Sequence, residues 1–295
     1  MFKNILVGVD RDGGGRDAIA LSKKLLDSDG QLTLAHVYSA ETLTWLGSPA
    51  EQQVERVAEL LEQARTEAGV DAVLRSHEAL TVGRGLHELC EATGADLLVV
   101  GSSRLSLLDR VLVGDDTHAA LNGAPCAIAV APAGFAQGPA TIREIGVAYN
   151  GSPESEHALA VARTLAAEHH AKLSAFEAVS LPGYALVGGG TPVADAISRL
   201  VTAARERIAA LGGVEAHASY GVPAEELSLY SASLDLLVVG SRGYGPLGRL
   251  VHGSISQQLA RTARCSLLVL PRGARRATVE SDRSGDGHEM ATAAR

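Results

Sequence analysis

Glycine and serine residues at a fixed spacing form the stretch of this sequence that is best suited to chemistry. An aliphatic run ends at Gly240, Gly243 follows three residues later, and nine further residues lead to Gly253 and Ser254, where a helical pattern begins. Glycines let the backbone approach a ligand with no Cβ in the way. A helix N-terminus offers unpaired N–H donors and a partial positive charge, and the hydroxyls of Ser254 and Ser256 add donors. Together these features predict an anion site of the kind that phosphates use.

The simpler interpretation of the same residues is a flexible loop followed by a capped helix, and a lone Gly-x-x-Gly would favour it. The position of the loop favours the anion site, because it follows the fourth strand of a strand–helix repeat, where such sheets bind ligands. The sequence contains no GxxxxGK[ST], and no GxGxxG follows the first strand of either half. The Walker loop and the dinucleotide fingerprint are therefore both absent.

The chain is an internal duplication, so the glycine loop has a counterpart. The letters DLLVVGS occur at Asp96–Ser102 and again at Asp235–Ser241, and similar segments match upstream and downstream at nearly the same offset. Self-similarity of this kind indicates repeated structural units. We therefore expect two domains, at residues 1–135 and 140–273, joined by a linker rich in Pro, Gly and Ala. Residues 274–295 have no apolar periodicity and are expected to be disordered.

Composition and charge limit the class of protein. The 295 residues fit two domains of ordinary size, and a net charge of −8 argues against nucleic-acid binding because no basic face is available for phosphates. Three cysteines without a CxxC argue for a reducing compartment and against a metal cluster. Cys126 and Cys265 lie in apolar runs typical of buried residues. We find neither a signal peptide nor an apolar segment of membrane-spanning length, so we expect a cytoplasmic protein.

Short aliphatic runs alternate with amphipathic helical patterns in each half. In the first half the expected strands are NILVGV, QLTLAHVY, the edge-like AVLRSHEAL, DLLVVG and CAIAVAP. The spacing of Ala18, Leu21, Leu25 and Leu26 predicts the first helix, with Gly30 beyond its end. This alternation predicts an α/β fold with a parallel sheet covered on both faces. Ligands bind such sheets at the carboxyl ends of strands, which points to the loops after the first and fourth strands.

The Gly-x2-Gly-x9-Gly-Ser spacing, the last strand CSLLVLP and the opening VAYNGSPESEHAL resemble the universal stress protein family. The resemblance covers both halves, so the chain is similar to a tandem universal stress protein. It implies two doubly wound, five-stranded parallel-sheet domains with strand order 3-2-1-4-5, the adenine nucleotide alpha hydrolase-like fold, and pairing through the last strands. It also implies a regulatory role in the stress response and binding of ATP, ADP or AMP, with or without Mg²⁺.

The resemblance also carries the family's binding positions onto the second half. The motif that holds ribose and phosphates corresponds to Gly240, Arg242, Gly243, Gly253, Ser254, Ile255 and Ser256. Ala178 corresponds to a position that borders adenine, and Asn150 to one near the nucleoside that the family usually fills with Asp. Asn keeps an acceptor and gains donors but loses the charge, so we expect altered recognition of adenine or ribose.

The first half departs from the family pattern in its phosphate loop. Asp10 and Val37 keep the family's residues, but Arg104 replaces the second glycine, Asp115 replaces the serine, and Asp116 follows. A side chain thus enters where the backbone should approach the ligand. Carboxylates cap a helix well but repel phosphate, and Arg104 or Arg110 could offset that repulsion only in part. We therefore predict that the second half binds ATP and that the first binds it weakly or not at all.

Other polar residues have simpler explanations. His36 lies in an apolar strand and is expected to be a satisfied histidine of the core or sheet end rather than a ligand. Arg249 is a better phosphate partner than His252, because its charge is permanent. His169–His170 end a predicted helix, where cations suit the helix dipole, and their spacing is not that of a metal site.

Binding without catalysis is the main expectation for this chain. Phosphoryl transfer needs a metal-holding acid, a residue that positions the nucleophile and a charge clamp, and the second glycine loop shows no clear base or metal ligand. We therefore expect a regulatory binding protein with at most slow ATP hydrolysis. Two alternatives stay open: a nucleotide-dependent ATPase or transferase, and an interaction protein with vestigial sites. We expect no nucleic acid or membrane partner, and pairing of the two halves within the chain; a homodimer and an unidentified protein partner stay open.

Overall fold

Five strands from each half join in one sheet in the described part of the chain. The computed structural model describes residues 1–10, 14–38, 50–102, 120, 122–138, 141–180, 193–241 and 254–271. The first half contains β1 (Phe2–Gly8), α1 (Gly14–Leu25), β2 (Leu26–Tyr38), α2 (Ala50–Ala68), β3 (Val73–Glu78), α3 (Val82–Thr93), β4 (Leu97–Gly101) and β5 (Ala127–Ala131). The second half contains β6 (Glu144–Ala148), α4 (Pro153–His169), β7 (Lys172–Val179), α5 (Val193–Ala209), β8 (Glu215–Tyr220), α6 (Pro223–Tyr230), β9 (Leu236–Gly240), α7 (Ser254–Thr262) and β10 (Ser266–Leu270). The predicted disordered tail lies outside the described residues.

The strand order is β3-β2-β1-β4-β5-β10-β9-β6-β7-β8. Each half therefore has the order 3-2-1-4-5, and neighbouring strands within a half are parallel. The last strands β5 and β10 pair antiparallel, with Val130 opposite Leu267 and Ile128 opposite Val269. The predicted fold class is confirmed, and β3 lies at a sheet edge as its sequence indicated. Pairing of β5 with β10 hides two edges that would otherwise be open to further strands.

Helices cover both faces of the sheet, which explains why the central strands are apolar throughout. Ile5 and Val7 of β1 pack on the face that α1 covers, and Leu6 packs on the opposite face against α3. Cys126 and Cys265 are buried, as their apolar surroundings predicted. Burial raises the pKa of the Cys265 thiol to about 12, so it stays protonated at neutral pH. No helix among the described residues is both long enough and apolar enough to cross a membrane.

The prediction for the end of the first helix is wrong. α1 ends at Leu25, and β2 begins at Leu26, which is paired with Phe2 of β1. Gly30 does not follow the helix but lies within β2, where a Cβ would come within 3.0 Å of the carbonyl oxygen of Lys3. Leu26 therefore belongs to the strand because it pairs with β1, although its spacing fits the helical pattern.

A buried carboxylate fixes the segment between the two halves to α1. Asp17 of α1 is only 1% exposed. Its Oδ2 accepts a hydrogen bond from the Gly134 N–H at 2.9 Å, and its Oδ1 accepts one from the Ala136 N–H at 2.8 Å. These bonds hold the short 3₁₀ turn at Phe135–Gln137. A buried charge needs such donors, and these bonds attach the predicted linker to α1.

Replacing Asp17 by Asn is expected to lower the free energy of unfolding by about 1–3 kcal/mol. The amide has one acceptor oxygen, so one of the two N–H groups would lose its partner and face an NH₂ group. Urea denaturation measures the change, and Asp29→Asn, at an exposed position, is the matched control. Equal stability of the two variants would contradict the anchoring role.

Candidate functional site

The carboxyl ends of β6, β7 and β9 border a cavity of about 310 Å³. β6 lies between β7 and β9 and is parallel to both, so all three strands end at the same edge of the sheet. The starts of α4, α6 and α7 complete the wall. The cavity thus lies where open α/β sheets bind ligands.

Five of the nine positions predicted in the second half line this cavity. They are Asn150, Ala178, Gly240, Ile255 and Ser256. Ser254 is the first residue of α7, and its side chain lies outside the described part of the structure. Arg242, Gly243 and Gly253 lie outside the described residues, as do Arg249 and His252 of the same loop. The structure therefore brings together described positions that are far apart in sequence, from the ends of three strands and the start of one helix.

Asn150 forms a side-chain turn that leads into α4. Its Oδ1 accepts a hydrogen bond from the Ser152 N–H at 3.1 Å, and its own N–H donates to the Ser155 Oγ at 3.4 Å. Ser152 in turn caps the helix, because its Oγ accepts from the Ser155 N–H at 3.3 Å. Oδ1 already accepts one bond in this turn, and the amide NH₂ supplies two donors for further bonding.

Matching hydrogen bonds show which residues of the two halves are equivalent. In the first half the Val9 N–H donates to the Ala35 carbonyl oxygen at 2.8 Å. In the second half the Tyr149 N–H donates to the Phe176 carbonyl oxygen at 2.9 Å. The residues that follow these donors and acceptors along the chain therefore occupy equivalent positions.

By this correspondence Asp10 is equivalent to Asn150, and Val37 is equivalent to Ala178. Asp10 is exposed, and its Oδ1 accepts from the Gly15 N–H at 3.2 Å. Val37 is 7% exposed, whereas Ala178 is half-buried beside the cavity. The loop residues that distinguish the first half, Arg104, Asp115 and Asp116, lie outside the described residues.

Gly240 has a packing role that the sequence did not reveal. A Cβ at this position would lie 2.5 Å from the carbonyl oxygen of Glu154 and 2.7 Å from its carbonyl carbon. The first turn of α4 therefore lies directly against the end of β9. The sequence predicted close approach of a ligand here, and the structure adds close approach of a helix.

Aromatic side chains form a second feature that sequence reasoning missed. Phe176 lines the cavity and stacks on Tyr230, with ring centroids 4.8 Å apart and an interplanar angle of 23°. The Tyr230 hydroxyl is hydrogen-bonded to the Ser174 hydroxyl, and burial raises the pKa of Tyr230 to about 12. Ser174, Phe176 and Ala178 alternate along β7 and therefore share one face, which was the signal in the sequence.

The three helix starts at the cavity differ in charge. The first turns of α4 and α6 contain acids, Glu154 with Glu156 and Glu225 with Glu226. The first turn of α7 contains no acid. Because acidic side chains offset the positive end of a helix dipole, the α7 end of the cavity is the one best suited to an anion.

The described histidines considered in the sequence have ordinary structural roles. His36 Nδ1 lies 2.7 Å from the Val9 carbonyl oxygen, which confirms a satisfied histidine at the sheet end. His169 is the last residue of α4, and His170 caps it with a φ of 52°. Within the described ranges no group of three metal-ligating side chains is close enough to hold a metal ion.

The fold is that of a tandem α/β protein, and a cavity of about 310 Å³ lies at the carboxyl ends of the strands in its second half. The model of the universal stress protein family matches residues 1–132 and 141–271, so the chain belongs to the universal stress protein family.

Two universal stress proteins of one bacterium match most of this chain and most of their own length. The chain is 28% identical over 255 residues to universal stress protein Rv2005c of Mycobacterium tuberculosis, covering 81% of this chain and 86% of that protein. It is 26% identical over 291 residues to universal stress protein Rv2623 of the same species, covering 90% and 95%. A universal stress protein structure from Archaeoglobus fulgidus superimposes with a TM-score of 0.61 at 18% identity, covering 92% of this chain and 98% of that one. This last likeness concerns the fold.

Replacing Gly240 by Ala is expected to lower the free energy of unfolding by about 1–3 kcal/mol, because the backbone of α4 must move to admit the methyl group. Thermal or urea denaturation measures the loss. Gly138→Ala is the control, since a Cβ there would meet the Phe135 carbonyl oxygen at 3.4 Å, an ordinary contact. Unchanged stability of Gly240→Ala would show that α4 does not lie against β9.

Proposed function

We propose that the chain is a regulatory protein of the stress response that binds ATP, ADP or AMP, mainly in its second half. The observation that carries this proposal is the cavity of about 310 Å³ at the ends of β6, β7 and β9, which five of the predicted positions line. Its volume lies at the lower end of the range for small-molecule sites, roughly 300–1,000 Å³. It therefore suits a nucleoside whose phosphates extend toward the glycine loop.

The lining separates into an apolar part and a polar part. Phe176, Ala178, Leu227 and Val239 form apolar walls suited to a base. The start of α7 supplies main-chain N–H groups, and Ser256 lines the cavity beside them. Phosphates bound at this helix start would meet donors without meeting an acid of the same turn. Mg²⁺, where it accompanies ATP, would be held chiefly by the phosphates.

We further propose that the two domains, at residues 1–135 and 140–273, have different roles. The first domain pairs with the second through β5 and β10 and binds nucleotide weakly or not at all. The second domain binds the nucleotide, and this binding alters a surface read by a protein partner or by a homodimer. We place this activity in the cytoplasm, in keeping with three cysteines that are all reduced and buried.

Calorimetry with ATP on the full chain is expected to give one binding site per chain. The double substitution Gly243→Arg with Ser254→Asp copies the first loop onto the second and is expected to weaken ATP binding by about 100-fold or more, by adding a side chain and a negative charge at the phosphates. Asp is a good N-cap, so α7 should persist, which circular dichroism can check.

The matched control is the reciprocal pair Arg104→Gly with Asp115→Ser in the first half, which should leave the site in the second half intact. Two equivalent sites per chain, or normal ATP binding by the Gly243→Arg, Ser254→Asp protein, would contradict the proposed function. Rapid turnover of ATP with a stimulating substrate would instead identify an enzyme.

A further inference from the structure

Glu154 is fixed at the wall of the cavity by the start of α4. It lines the cavity and is half-buried, whereas Glu156 of the same turn is exposed. Ser152 holds this turn, because its Oγ accepts from the Ser155 N–H at 3.3 Å and its carbonyl oxygen accepts from the Glu156 N–H at 2.9 Å. The missing side chain of Gly240 lets the Glu154 backbone lie against β9. The position of the Glu154 backbone is therefore set by the capped turn and by its contact with β9.

Glu154 gives the cavity two chemically unlike ends. The α7 end combines a helix start that has no acid in its first turn with the side chain of Ser256. The α4 end is lined by Glu154, an acid whose carboxylate can accept hydrogen bonds but repels anions. A nucleotide has the matching asymmetry, since its phosphates are anionic and its ribose hydroxyls are neutral donors. Phosphates at α7 thus leave the sugar as the part that can meet Glu154.

The first half shows that an acid is not required at this position for the fold. Counting from the equivalent residues Asp10 and Asn150, the counterpart of Glu154 is Gly14, which is the first residue of α1. The helix forms there with glycine in place of the acid. A carboxylate at this position is therefore not needed for the helix to begin there.

We propose that Glu154 accepts hydrogen bonds from the ribose hydroxyls of the bound nucleotide and thereby determines specificity for a sugar with a free 2′,3′-diol. This inference rests on the proposed nucleotide binding. In other nucleotide-binding folds, an acid on the ribose hydroxyls marks a site for the unphosphorylated sugar, and a nearby arginine accommodates the 2′-phosphate instead. The cavity should likewise reject an adenine nucleotide that carries a phosphate at the 2′ position.

Calorimetry on the full chain with AMP, 2′-deoxy-AMP and adenosine 2′,5′-bisphosphate tests the proposal. The wild type is expected to bind the deoxy compound about tenfold more weakly than AMP, through loss of a charge-assisted hydrogen bond. It should bind the bisphosphate at least about 100-fold more weakly, because a charged phosphate would face a half-buried carboxylate. Two affinity ratios follow, AMP over 2′-deoxy-AMP and AMP over the bisphosphate. In Glu154→Ala both are expected to fall to within about threefold of unity, since the acceptor and the charge are then gone.

Two further variants separate a binding role from a structural one. Glu154→Gln keeps an acceptor without the charge, so it should tolerate the bisphosphate yet still prefer AMP to the deoxy compound. Glu156→Ala removes the same charge from the same turn at an exposed position and should leave both wild-type ratios unchanged.

The outcomes distinguish this inference from the proposal on which it rests. Wild-type protein that binds neither ATP nor any of the three compounds would overturn the proposed function and this inference with it, whereas binding of ATP alone would overturn only this inference. Wild-type ratios that persist in Glu154→Ala, with AMP still bound, would overturn the role of Glu154 alone. Equal effects of Glu154→Ala and Glu156→Ala would show a general charge effect and would overturn it as well.

Discussion

The parallel pairing of β6 with both β7 and β9 is the constraint on which the candidate site depends. Val147 of β6 lies opposite Ala175 of β7 on one side and Val238 of β9 on the other. Because all three strands run in the same direction, their carboxyl ends open onto one edge. Asn150, Ala178 and Gly240 come together for that reason alone, although they are far apart in sequence.

The antiparallel pairing of β5 with β10 gives the molecule its second organising feature. It joins two copies of one fold into a continuous sheet, so each copy covers the edge that the other would expose. The core of each half comes from its aliphatic strands and the helices that cover them, whereas the ligand chemistry comes from loops at the strand ends. One copy can therefore change its loop without losing its core, as the difference between Arg104 and Gly243 at equivalent loop positions illustrates.

Sequence patterns predicted the strands well, because each strand is a short aliphatic run and each run occurs twice, whereas the strand order came from the family resemblance. The resemblance also pointed to Ala178 and Ile255, which line the cavity, since it fixes positions relative to strand ends. They could not predict the role of Asp17, because its partners lie 117 and 119 residues away and are main-chain groups without a sequence signature. The end of α1 was missed for a similar reason, as pairing with β1 decides where the strand at Leu26 begins.

Sequence patterns also could not show which side chains line or support the cavity. Phe176 looked like any core residue of β7, and only its stacking on Tyr230 shows that one aromatic ring supports another at the cavity wall. Glu154 looked like an ordinary acid in the first turn of a helix, which is a favoured position for it. Its place at the cavity follows from the contact between α4 and β9, which depends on the absence of a side chain at Gly240.

A crystal structure of the full chain with bound ATP would show whether the cavity of the second half holds the nucleotide. We expect ligand density in the cavity between β6, β7 and β9, with the base beside Ala178 and the phosphates at the start of α7. Density confined to the first half, or lying away from Ala178 and Ser256, would contradict it.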